Sequence, residues 1–160
     1  MKNKTNIFAV LVLFILTLGA LQIAPAHAED VKPDPKAEEL LNKFMTALLV
    51  EDEAASAKAV MSLVHKSLLS NDKSDLSPDL RRFSFKKAHG GAGHYTSPVK
   101  ITRVRKTGIT AIGFKETAEA GAVYDYFISK KEGVTGMPAP VKVFFPKDGG
   151  ELKISYMGSL

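Results

Sequence analysis

Residues 123–129 read VYDYFIS. Both alternating sets of side chains are apolar or aromatic: Val123 and Phe127 on one side, Tyr124, Tyr126 and Ile128 on the other. Successive residues of a strand point to opposite faces, so such a segment is covered on both sides or lines a cavity on one. Asp125 is the one charge in the run, and alternation aims it away from both tyrosines. Strand-like patterns flank it at residues 99–105, 109–115, 141–145 and 152–157, with Gly108 in the first turn. Between the last two, Pro146-Lys147-Asp148-Gly149-Gly150 supplies the Asp-Gly-Gly that hairpin turns favour. Connections this short make the neighbouring strands antiparallel.

Upstream the period changes. Leu40, Leu41, Phe44, Met45 and Leu48 recur at spacings of three and four and predict a helix over residues 35–50. Asp34 is placed to cap it, and Pro35 suits the first helical position. Asp52 caps a second helix whose face carries Ala57, Val60, Met61, Val64 and Leu68, with Asn71 as its stop. Ser77-Pro78 opens a short third helix through Lys87, which the run His89-Gly90-Gly91-Ala92-Gly93-His94 breaks. Helices first and a meander of strands afterwards predict an α+β fold. Two long N-terminal helices and a short third pack on a curved antiparallel sheet of about five strands.

The chain has 160 residues and no cysteine, which excludes disulfides, thiolate metal sites and a cysteine nucleophile. Lys2 and Lys4, an apolar run over residues 7–21 and Ala26-His27-Ala28 have the layout of a secretory signal cleaved after Ala28. The run, about 15 residues, falls short of the roughly 20 that span a bilayer, so no transmembrane anchor is expected after cleavage. The reading is therefore a signal at 1–28, a polar lead at 29–34 and one domain at 35–160, exported to a periplasm or secreted. Cleavage removes two lysines and leaves 20 Lys and Arg against 17 Asp and Glu, a net charge of +3.

The order of two helices, a short third, curved antiparallel strands and the closing hairpin GGELKISYMG (149–158) resembles the nuclear transport factor-like superfamily. The resemblance covers most of residues 35–158. It implies a cone-shaped, cystatin-like α+β fold with a pocket inside the cone, and allows a homodimer through the sheet. The superfamily includes polyketide cyclases and ketosteroid isomerases, so the pocket's chemistry stays open. Where it usually places a strand or hairpin after helix two, residues 71–97 show no clear strand signal.

Each candidate for chemistry has a plainer competitor. Asp125, on a covered strand, would have a raised pKa and could act as a general base; its competitor role is cross-strand partner to a Lys or Arg. His65 lies late in helix two, as a pocket base or a helix-end residue. Tyr124, Tyr126, His65 and Tyr95 are the candidate ligand contacts. His89 and His94 are five apart with no carboxylate between them, which is not a metal-ligand spacing. Gly90-Gly91-Ala92-Gly93 follows a helical segment and matches no phosphate or dinucleotide fingerprint, so no cofactor is expected. Arg81, Arg82, Lys86, Lys87, Lys100, Arg103, Arg105 and Lys106 make the central third basic, with Phe83 and Phe85 interleaved. Export and the small net charge argue against nucleic acid and leave an anionic envelope component as the partner such charge would suit. The pattern favours a non-enzymatic binding module. It would hold a small apolar or amphipathic ligand, or a partner, at a cone-shaped cavity or sheet face. The alternative is an isomerase-, dehydratase- or cyclase-type enzyme with an Asp or His general base in the cavity.

Overall fold

A computed structural model describes residues 31–160 apart from Ala139 and Ser159; the expected signal at 1–28 lies outside the described residues. Among the described residues the fold is α+β, with three α-helices before an antiparallel sheet that does not close. Helix α1 (Pro35–Leu48) begins as expected: the Asp34 carboxylate accepts from the Lys36 and Ala37 backbone amides, and proline stands in the first turn. Its buried face carries Leu40, Leu41, Phe44, Met45 and Leu48, each worth about 2 kcal/mol of burial. Helix α2 (Glu53–Met61) is capped by Asp52 on Ala55, and the buried Ser56 hydroxyl donates to the Ala47 carbonyl of α1 at 2.8 Å.

Two long N-terminal helices are not what forms. α2 stops at Met61, well before the expected Asn71. The apolar spacing would carry a helix further, but the backbone of residues 63–65 has another partner. The Ile154 amide donates to the Leu63 carbonyl at 2.9 Å, and the His65 amide donates to the Ile154 carbonyl at 2.8 Å. Those groups complete a sheet edge and are lost to helix bonding. The third helix departs the other way. A π-helical turn (Leu80–Phe85) leads into α3 (Lys86–Gly91), and a 3₁₀ turn continues to His94, straight through the glycines expected to break it. Gly91 is used for close approach: a Cβ there would meet the Leu160 carbonyl carbon at 2.6 Å.

The strands are β1 (Ile101–Lys106), β2 (Ala111–Ile112), β3 (Glu119–Ile128), β4 (Pro140–Pro146) and β5 (Lys153–Tyr156). The order is β1-β3-β4-β5, and β2 pairs with the start of β3. The expected second strand is thus mostly turn, and β3 starts earlier than its apolar run. No strand forms in residues 71–97 among the described residues. Register places Val104, Tyr126 and Val141 side by side, next to Tyr124 and Val143. These join α1 and α2 in one core around Phe44, Leu41 and Met45. The opposite face carries Arg105, Asp125, Lys142 and Tyr156 in one row across four strands.

Candidate functional site

The layer between helices and sheet is filled by side chains: Phe44, Leu41, Tyr126 and Ile128 are each no more than 1% exposed. The hollow lies at its rim instead. A groove of about 580 Å³ opens between the start of α1 and the β4–β5 hairpin. Its floor is apolar, from Leu40, Leu63, Phe145 and Leu152. Past Asp34 and Phe145 it runs into a smaller recess of about 370 Å³, where Tyr124 and Tyr126 line the wall. The Tyr124 and Phe145 rings meet edge to face, centroids 4.9 Å apart, the arrangement aromatic quadrupoles prefer.

The rim is charged and its described carboxylates are engaged. Asp34 caps α1, Glu39 pairs with Lys43 at 2.7 Å, and Glu151 pairs with Lys153 at 2.8 Å. The hydrogen bond and charge of Lys43 hold Glu39 below the usual carboxylate range, and Lys153 does the same for Glu151. Burial pushes the Tyr126 phenol up to about 12, offset only in part by a hydrogen bond with the Asp34 backbone. Its hydroxyl therefore stays protonated and ties β3 to the cap of α1.

The other candidates are dispersed. Tyr95 is 3% exposed and sits in an isolated bridge with Lys130, whose ammonium lies 6.0 Å from its ring centre. Asp125 points away from the tyrosines, as alternation required, and is 1% exposed. Arg105 and Lys142, from the strands on either side, both reach it at 2.5 Å. Burial pushes its carboxyl up, but the hydrogen bonds and charges of Lys142 and Arg105 outweigh that and hold it below the ordinary value. This is the reverse of the raised pKa a general base would need, and the cross-strand role is the one it fills. His89 bonds the Val50 carbonyl at 2.9 Å and stacks on Phe85; His94 is exposed.

His65 lies on another surface, beside an open cleft of about 500 Å³ that Ser67 and Phe114 also line. Its Nδ1 accepts from the Ser67 amide at 3.1 Å and lies 2.8 Å from the Ser67 hydroxyl. That leaves the ring proton on Nε2, which donates to Glu119 at 3.3 Å. The imidazole edge rests on Phe144, 5.3 Å between centroids. With both nitrogens engaged, the ring is bound into the fold and offers no lone pair to a substrate. Sequence alone missed Glu119, 54 residues away, because nothing local marks it as a partner. Phe145 was legible in principle, since Val141, Val143 and Phe145 alternate onto the tyrosine side.

Burial pushes the His65 imidazole down, more than Glu119 pulls it up. The unfolded chain therefore binds the extra proton first as pH falls through about 6.5. Stability should be full above that pH and decline on acidification towards the folded value, before the carboxylates titrate. Thermal melts between pH 7.5 and 5 should show this fall, and His65→Gln should flatten it; an unchanged slope in the variant would assign it elsewhere.

Comparison with protein-family models, with curated proteins and with solved structures gave no match for this chain.

Proposed function

We propose that the chain is an exported binding module that takes a small amphipathic ligand into the groove between α1 and the β4–β5 hairpin. The observation that carries this reading is the apolar floor of Leu40, Leu63, Phe145 and Leu152 beneath a rim of lysines and engaged carboxylates. Ligand sites combine a mostly apolar lining with a few oriented polar groups, in volumes of roughly 300–1,000 Å³. An acyl or ring system would lie along the floor, and an anionic head would meet Lys36 at the mouth, since Lys43 is held by Glu39. The pocket inside the cone that the resemblance implies is filled by Phe44, Leu41, Tyr126 and Ile128, so this reading rests on the groove at the rim. The engaged state of Asp34, Glu39 and Glu151 favours binding over proton transfer.

The chain contains no tryptophan, so Phe145→Trp puts a single indole on the groove floor in place of another aromatic ring and leaves the lysines of the mouth intact. Titration with laurate below its micelle concentration should give a saturable blue shift at one equivalent. Leu152→Arg in the same background should abolish it. A shift that fails to saturate, or survives the arginine, would remove the groove as the site. Native mass spectrometry of protein isolated from its own cells would then identify any retained molecule.

A further inference from the structure

A second surface on this chain has a different chemistry, independent of the groove. Leu80 and Phe85 are five residues apart, which on an α-helix sets them about 140° from each other. The π-helical turn over Leu80–Phe85 bonds i to i+5 and brings them little more than one turn apart. Both are buried. The same geometry swings Phe83 outward, where it is 61% exposed. Arg82 and Lys86, and likewise Phe83 and Lys87, are four apart and share that outer surface. Arg81 leaves it, reaching Asp75 at 3.2 Å.

Phe83, Arg82, Lys86 and Lys87 line one open hollow of about 460 Å³ together with Tyr156 from the end of β5. No acidic residue lines it among the described residues. The Arg82 guanidinium lies 5.2 Å from the Phe83 ring centre, and Tyr156 is 41% exposed. Two exposed aromatic rings inside an unopposed cluster of cations combine what the two layers of a membrane surface ask for. Lysine and arginine meet lipid phosphates, and aromatic rings sit at the boundary with the acyl chains. A soluble polyanion without rings, such as polyphosphate, would use the cations and gain nothing from an outward phenylalanine.

We propose that this patch docks the protein on an anionic lipid surface, with Phe83 entering the interface and Arg82, Lys86 and Lys87 on lipid phosphates. Phe83→Trp reads the contact at the residue itself, in a chain with no other tryptophan. Vesicles of phosphatidylglycerol and phosphatidylcholine should shift its emission to the blue and allow quenching by brominated acyl chains; phosphatidylcholine alone should do neither. Lys86→Ala/Lys87→Ala in that background should weaken binding about 25-fold, roughly five-fold per charge, and 0.5 M salt should weaken it further. Lys100→Ala/Lys106→Ala removes two exposed cations from another part of the chain and should change binding by no more than about two-fold. Absence of a shift, an equal shift on phosphatidylcholine, or equal losses in the two double variants would overturn the proposal. So would a tryptophan that responds to soluble polyphosphate as strongly as to vesicles.

Discussion

Replacing Arg105 and Lys142 together by methionine is expected to destabilise the protein by about 3–5 kcal/mol, the cost of leaving a buried carboxylate without its cations. Asp125 is 1% exposed and receives both partners, one from β1 and one from β4. The converse change is milder. In Asp125→Asn, Arg105 and Lys142 keep side chains that are 41% and 27% exposed and can turn to water, so about 1–2 kcal/mol is expected. Urea unfolding of the two variants measures the asymmetry; equal losses, or a larger one for Asp125→Asn, would contradict it. The pH response should also invert. Without its cations the Asp125 carboxyl is governed by burial and rises above its unfolded value, so the folded state binds the extra proton. Acidification towards pH 4 should then recover part of the double variant's loss, whereas it weakens the parent.

Gly158→Ala is expected to cost roughly 2–5 kcal/mol and to lower Tm by about 10 °C. Gly158 has φ +74°, and a Cβ there would fall against the Pro140 carbonyl at the start of β4. Gly149 provides the contrast. Its φ is +79°, yet nothing lies within 4 Å of the added carbon, so Gly149→Ala should cost only about 1 kcal/mol of backbone strain. The difference between the two melts isolates the packing contact. Similar values for both would mean that the segment after β5 is held more loosely than its buried Met157 and Leu160 indicate.

The first helix was readable because everything that makes it is local: a capping carboxylate, a proline behind it and apolar residues at three and four. The β4–β5 hairpin was readable for the same reason, through Asp148-Gly149-Gly150 and the alternation on either side. Asp125 could be aimed away from the tyrosines by the two-residue period alone, but which of its two competing roles it filled needed the neighbouring strands. The end of α2 could not be read. Val64 and Leu68 continue a helical stripe, and only β5, some 90 residues on, draws residues 63–65 into a sheet edge. The π-helical turn was equally hidden: Leu80 and Phe85 share no face at ordinary helical spacing until packing demands it. Of the candidate site, Tyr124 and Tyr126 line the recess beside the groove, while His65 and Tyr95 belong elsewhere.

The amino-acid pattern by itself determined the class of fold, the first helix, the four main strand positions and the side of β3 on which Asp125 stands, because each depends on residues a few places apart. Only the tertiary structure decided where the chain leaves a hollow, which cations meet Asp125, and that Phe83 faces water while Phe85 does not. Those outcomes depend on backbone groups and side chains far apart in sequence competing for the same partners and the same space, and periodicity carries no record of who wins.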